Sequence, residues 1–205
     1  MGKQTVSIRG FTLMELMIVI ALAAVILAIG APNFRDFRLN NRLTAVANDF
    51  LASVTLARTE AVKRQQSVSL CASDNPAAAT ASCADGNFAR WIVFEDANGD
   101  CERDAGEPIL RAEVGRDEGG DSDSDTSRQL RGVADGNCIS IGRTGFTRDL
   151  PDSATRFVFC DARGTDLQPG TDQSVGRGII LNRTARAQIT RDPAIIDSWE
   201  LECPP

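Results

Sequence analysis

The feature that most limits how this chain can fold is an apolar run from Phe11 to Ala31. Its only charged residue is Glu15, and its only strong helix breaker is Gly30. A helix of about 20 apolar residues is long enough to cross the hydrocarbon core of a bilayer. The run therefore predicts a transmembrane helix at 11–31, which follows a short polar leader at 1–10.

Glu15 distinguishes this run from an ordinary signal peptide or membrane anchor. A carboxylate inside an apolar helix costs roughly 2.5–3.5 kcal/mol on insertion scales, so it needs a role. A signal peptide would end in a small-residue cleavage site, and Ala28-Ile29-Gly30-Ala31 can imitate one. The leader alone leaves these alternatives open, whereas the carboxylate argues against both.

The segment Gly10-Phe11-Thr12-Leu13-Met14-Glu15 resembles the start of a type IV prepilin, the family that builds pili, secretion pseudopili and DNA-uptake fibres. The resemblance implies that a separate prepilin peptidase cleaves between Gly10 and Phe11, and that Phe11 is then N-methylated. It also implies that Glu15 pairs with the methylated amine of a neighbouring subunit. The implied partners are other pilins or pseudopilins, contacted through the N-terminal helix, and an inner-membrane assembly platform.

Composition and charge narrow the possible functions. The chain of 205 residues suits one soluble domain plus a membrane helix, and its net charge of −6 argues against bulk adhesion to nucleic acid. It has no histidine, the commonest general base and metal ligand. We therefore expect neither enzymatic activity nor a cofactor.

The expected location is the cell inner membrane, crossed once, with the C-terminal domain in the periplasm before incorporation into a pilus or pseudopilus. Lys3 and Arg9 precede the apolar run, whereas Arg35 and Arg38 follow it, so the positive-inside rule is indecisive. The topology rests on the resemblance and on the cysteines, because six cysteines behind a targeting segment indicate an oxidising compartment.

Three disulfides are expected from the six cysteines. Cys71 and Cys83 are close in sequence and bracket a polar loop, which favours a local bridge. A Cys160–Cys203 bridge would fix the C-terminal tail, and Cys101–Cys138 follows by elimination. Six cysteines allow fifteen pairings, so the last pair is the weakest assignment.

Helical periodicity continues from 32 to about 65. Pro32 removes one backbone hydrogen bond, so we expect a kink or a local loss of helix there. Apolar residues recur at steps of three and four and form one stripe that should pack on the soluble domain. The stripe consists of Leu39, Leu43, Val46, Phe50, Val54, Ala57 and Ala61.

The remainder, 66–205, has the short alternating segments typical of strands. The fold class is therefore α+β, a pilin fold with a long N-terminal helix packed on antiparallel β-sheet. An exposed loop is expected from Gly115 to Ser127. The candidate strands are Ser67–Ala72, Arg90–Glu95, Pro108–Val114, Cys138–Ile141, Arg156–Cys160, Arg177–Leu181 and Ala185–Thr190.

This order of motifs is similar to that of the GspH, FimT and FimU subgroup of minor pilins and pseudopilins. The shared features include Arg90-Trp91-Ile92-Val93-Phe94 and Phe159-Cys160-Asp161-Ala162-Arg163-Gly164. The resemblance implies a structural subunit that primes or caps a type IV pilus or a type II secretion pseudopilus. The alternative is a DNA-binding minor pilin of the natural-transformation machinery.

One acidic segment comes close to a twelve-residue calcium loop. It departs from the motif at Cys101, where the motif requires glycine, and its flanks are predicted strands and not helices. We therefore favour an acidic hairpin turn over a metal site. The oxygen ligands of the calcium alternative would come from Asp96, Asn98, Asp100, Asp104 and Glu107.

The last third of the chain is locally basic, and Arg183, Arg186 and Arg191 are its candidate DNA contacts. The nearest match to the Gly-Arg-x-Arg element of FimT-like pilins is Asn182-Arg183-Thr184-Ala185-Arg186, which lacks the glycine and changes the spacing. Solvated strand faces on a secreted domain are the favoured alternative.

The first prediction concerns the mature N-terminus. We expect mass spectrometry of the protein from its native host to find a chain that begins at Phe11 and carries a methyl group on its amine. An N-terminus after Ala31, or an intact Met1, would contradict the prepilin interpretation.

Overall fold

The computed structural model describes residues 11–84, 87–114, 130–149, 153–201 and 203. The leader with Gly10, and the loop expected from Gly115 to Ser127, lie outside the described residues. The chain divides into two compact units, Met1–Arg38 and Leu39–Pro205.

Helix α1 runs from Leu13 to Arg64. It begins where the Thr12 hydroxyl accepts a hydrogen bond from the Glu15 backbone N–H, at 3.2 Å, which is the geometry of an N-cap. It ends at Gln65, whose φ of 56° lies in the left-handed region that terminates helices. The backbone stays helical through Pro32, so the expected local loss of helix is not observed. Proline removes only one N–H donor, which the neighbouring turns tolerate.

Among the described residues, no helix combines the length and the apolar character that crossing a membrane requires.

All further elements belong to the second unit, in which two four-stranded antiparallel sheets form. The first sheet has the order β3-β2-β1-β5. Its strands are β1 Val68–Ala72, β2 Trp91–Glu95, β3 Ile109–Glu113 and β5 Cys138–Ile141. The second sheet has the order β4-β6-β7-β8. Its strands are β4 Arg131–Ala134, β6 Arg156–Cys160, β7 Arg177–Leu181 and β8 Ala187–Thr190, and a short helix α2, Pro193–Asp197, follows β8.

The seven predicted strands are all present, and the α+β class with a helix on antiparallel sheet is confirmed. Strand β4 and helix α2 were not predicted. Strand β4 includes Gly132, which has weak strand propensity but allows close packing, because an added Cβ would lie 2.6 Å from the Phe88 backbone. Helix α2 is too short for periodicity, although Asp192 caps it and Pro193 opens it.

The core of the second unit is centred on the buried stripe of α1. Apart from Leu39, every residue of the predicted stripe is at most 2% exposed. Phe50 lies in the middle, with its ring centroid 4.7 Å from that of Phe157 and 5.3 Å from those of Trp91 and Phe159. Because Trp91 belongs to the first sheet and the two phenylalanines to the second, Phe50 packs against both sheets.

Buried polar contacts help to hold α1 against the sheets. The Trp91 indole N–H donates to the Ser53 hydroxyl at 2.9 Å. The buried Arg177 guanidinium donates to the Thr44 hydroxyl at 3.1 Å, and it also reaches backbone carbonyls, including that of Asn40. Burial, together with the nearby Arg191 and Arg163, lowers the pKa of Arg177 to about 10. The group therefore remains a cation at neutral pH, and its hydrogen bonds go to neutral acceptors.

The structure contains the three disulfides that the sequence predicts, Cys71–Cys83, Cys101–Cys138 and Cys160–Cys203. Cys71 and Cys138 lie directly opposite each other on β1 and β5, so the first two bridges are neighbours. Their sulfurs border a small second core with Ile92 and Phe94, on the face of the sheet away from α1. The third bridge joins the end of β6 to the C-terminal tail.

The second prediction concerns Phe50. Replacing Phe50 by Ala should lower the free energy of unfolding by about 3–5 kcal/mol, because it opens a cavity where both sheets meet the helix. Phe146→Ala is the matched control, because Phe146 is 52% exposed and should tolerate truncation with little loss. Urea unfolding of the full chain, followed by tryptophan fluorescence, measures both; equal losses would contradict this description of the core.

Candidate functional sites

The N-terminal segment presents apolar side chains on every side of α1. Phe11 is 84% exposed, and Leu13, Ile18 and Leu27 are each more than half exposed. A helix that is apolar all round needs an apolar environment, either lipid or other helices. Within the described residues, the Glu15 carboxylate forms no hydrogen bond or ion pair.

One further residue of this segment, Thr12, has a structural role that was not predicted. Its hydroxyl caps the first turn by accepting from the Glu15 N–H, and Glu15 stands three residues after this N-cap. The spacing Thr-x-x-Glu is the capping-box pattern, so a signal was present in the sequence. Thr12 therefore fixes where α1 begins, and with it the position of Glu15 in the first turn.

The acidic segment 96–107 is the loop between β2 and β3, as the hairpin alternative predicts. Its first carboxylate, Asp96, is fully buried. It accepts hydrogen bonds from the backbone N–H of Gly99 at 2.6 Å, from that of Cys101 at 3.1 Å, and from the Ser69 hydroxyl. Cys101, at the position where a calcium loop has glycine, adopts a left-handed φ of 70°.

The far end of the loop is closed in the same way by Glu107. One carboxylate oxygen accepts from the Ala97 N–H at 2.8 Å, and the other accepts from the Asp104 N–H at 2.9 Å. The Asn98 amide donates to Asp100 and Asp104. In the described part of the chain, no group of three or more acidic, cysteine or histidine residues is arranged to hold a metal ion. The carboxylates of this loop organise its backbone.

The three arginines named as DNA contacts have different surroundings in the structure. Arg183 pairs with the exposed Asp149. Arg191 donates to the Gln168 amide oxygen at 2.5 Å and to the Ser174 carbonyl at 3.0 Å, and partial burial lowers its pKa. Arg186 is exposed at the start of β8, at the other end of that strand from Arg191. Two of the three side chains therefore already have partners within the domain.

Two protein-family models match the chain. The model described as Type II transport protein GspH matches residues 46–185, and the model described as Prokaryotic N-terminal methylation motif matches residues 7–31. No curated protein sequence matches at a significant level.

Two crystal structures of the type IV minor pilin FimU from Pseudomonas aeruginosa are similar to this chain. The P21 form is 18% identical, with a TM-score of 0.46, and the alignment covers 75% of this chain and 91% of FimU. The P65 form is also 18% identical, with a TM-score of 0.43 and coverages of 72% and 91%.

A methylation-motif helix in front of a helix-on-sheet domain is the layout of type IV pilin-like subunits. The chain belongs to the GspH family of type II transport proteins, whose model covers more than half of it. It is a minor pilin or pseudopilin subunit, and the prepilin resemblance drawn from its sequence is confirmed.

The third prediction separates the hairpin from a calcium site. Asp96→Ala should lower the free energy of unfolding by about 2–3 kcal/mol, because it leaves the buried donors of the loop without their charged acceptor. Asp100→Ala, at an exposed position of the same loop, should cost well under that amount. Thermal unfolding with and without calcium chloride should give the same midpoint; an upward shift that both substitutions abolish would identify a calcium site.

Proposed function

We propose that this subunit primes or caps a type IV pilus or a type II secretion pseudopilus and has no catalytic activity of its own. The observation that carries the proposal is the exposed apolar surface of the first part of α1, interrupted by a single carboxylate. The domain that follows it in the chain has a buried, disulfide-bonded core. Such a chain can join a bundle of like helices through its N-terminal segment and keep its fold.

The proposed maturation begins with cleavage between Gly10 and Phe11 by a prepilin peptidase, followed by methylation of the Phe11 amine. This step would place a positive charge at the start of the helix, one turn from Glu15. In an apolar helix bundle each of these charges is costly alone, and the cost falls when they pair. We propose that Glu15 pairs with the Phe11 amine of a neighbouring subunit and thereby sets the stagger between helices.

The proposed location before assembly is the inner membrane, with 11–31 spanning the bilayer once and the C-terminal domain in the periplasm. The apolar run supports the anchor, and three disulfides suit the oxidising periplasm. An inner-membrane assembly platform would then extract the subunit into the fibre.

The DNA-uptake alternative has no specific observation in its favour. Arg183 and Arg191 are engaged within the domain, so a phosphate contact would first have to replace those bonds. We therefore propose the structural-subunit role. Natural transformation is one of the phenotypes scored when that role is tested.

The fourth prediction tests the pairing role of Glu15. In a strain that lacks the gene, Glu15→Ala and Glu15→Gln should both enter the membrane, because each removes the cost of a buried charge. Both should fail to enter fibres and fail to restore function. Sheared-fibre immunoblots measure incorporation, and twitching, protein secretion and transformation are scored in parallel to identify the machine.

Thr12→Val is the matched control, because it removes the N-cap and keeps the carboxylate. Loss of an N-cap costs about 0.5–2 kcal/mol of helix stability, so incorporation should fall only in part. Normal fibre incorporation of Glu15→Gln would exclude the charge pair. An equal defect in Thr12→Val and Glu15→Gln would show instead that helix capping is the function of the segment.

A further inference from the structure

The second unit carries a surface groove between the last turns of α1 and the outer edge of β8. Its volume is about 810 Å³, and its apolar lining includes Leu51, Val62 and Ala187. Val62 is 45% exposed, although the neighbouring stripe residue Ala61 is fully buried against the domain. Pockets of this volume are large enough for a peptide segment or a small ligand.

One wall of the groove is a sheet edge with unused hydrogen-bonding groups. Strand β8 is the last strand of its sheet, next to β7. The Asn182 N–H donates to the Arg186 carbonyl at 3.1 Å, which places Arg186 in a hydrogen-bonded position against β7. In an antiparallel pair such positions alternate, so Ala187 and Ile189 direct their N–H and C=O groups away from β7, towards the open edge. An exposed edge of this kind is a template for an additional strand.

The positive charge of the groove favours an acidic polypeptide as the strand that pairs with this edge. Its lining includes Arg58, Lys63 and Arg186 and contains no acidic residue. Lys63 pairs with Glu60 at 3.2 Å, whereas no carboxylate in the described part of the chain pairs with Arg58 or Arg186. A segment that enters the groove therefore meets two uncompensated guanidinium groups beside an apolar floor.

We propose that this groove binds an extended acidic segment of another polypeptide, which adds to the second sheet as a fifth strand along β8. Its backbone would pair with Ala187 and Ile189, its apolar side chains would contact Leu51 and Val62, and its carboxylates would meet Arg58 and Arg186. The four residues of β8 span roughly 14 Å, which sets a matching length of four or five residues. The inference goes beyond the subunit role and does not depend on cleavage after Gly10.

Duplex DNA is the competing occupant, since it too is anionic. DNA has no backbone that can complete a sheet, so its binding would depend on the arginines and not on the edge of β8. The lining also offers apolar contacts that a phosphate backbone would leave unused. The two occupants therefore respond differently to a change that blocks only the strand edge.

The fifth prediction is made for the full chain purified in detergent. The probe is a fluorescein-labelled octapeptide of alternating valine and glutamate, and its binding is followed by fluorescence anisotropy. Ile189→Pro removes an outward N–H and should keep β8 in place, because proline is tolerated at a strand edge that faces solvent. We expect this change to weaken binding by about tenfold or more, since it deletes a hydrogen bond and blocks the approach.

Matched variants separate the contribution of the strand edge from that of the arginine charges. Ile189→Ala keeps the N–H and should bind nearly as the wild type does. The double change Arg58→Ser and Arg186→Ser should weaken binding by about tenfold and reduce its salt dependence. Arg90→Ser removes a charge far from the groove, where Arg90 lies near Asp74, and should leave binding unchanged. Circular dichroism melting verifies that each variant is folded.

Three results would overturn the proposal. The first is no binding of the acidic peptide at any accessible concentration. The second is equal binding of a valine–lysine peptide, which would remove the charge selection. The third is binding of a short DNA duplex that Ile189→Pro leaves unchanged while the peptide does not bind, which would assign the arginines to nucleic acid.

Discussion

The fold of the second unit depends on the burial of one stripe of α1 between two antiparallel sheets. Phe50 contacts aromatic residues from both sheets, and each buried side chain of this size contributes roughly 1.5–3 kcal/mol. Trp91 of the first sheet and Phe159 of the second also contact each other, with ring centroids 6.3 Å apart, so the helix and both sheets share one core. The Ser53–Trp91 and Thr44–Arg177 hydrogen bonds then fix the helix along and across that surface.

The same helix has a different relation to its surroundings before Arg38. There the large apolar side chains from Phe11 to Leu27 are exposed. Contact with other helices would bury such a surface, and membership of the GspH family implies association with other pilins in a pilus or pseudopilus. The disulfides all lie in the second unit, and they stabilise it independently of the N-terminal segment.

Several charged residues of the described domain bond to its own backbone or to neighbouring side chains. Asp96 and Glu107 organise the β2–β3 loop, and Arg191 and Arg183 are held by neighbours within the domain. A carboxylate that accepts several N–H bonds, or a guanidinium that donates to carbonyls, is a poor candidate for a ligand site. Arg58 and Arg186 pair with no carboxylate in the described part of the chain, and they lie beside an open strand edge, where charge and hydrogen-bonding capacity coincide.

The sequence by itself determined the elements that depend on local patterns. The apolar run, the buried stripe, seven strands and the prepilin motif all follow from spacing along the chain, because helix and strand periods and cleavage motifs are local. Strand β4 escaped prediction because Gly132 is there for close packing against Phe88, which no local pattern records. Tertiary structure alone decided that Arg177 is buried and that Arg58 and Arg186 line one groove. Arg177 contacts Thr44, 133 positions earlier, and Arg58 shares its groove with a residue more than a hundred positions later; only packing brings such residues together.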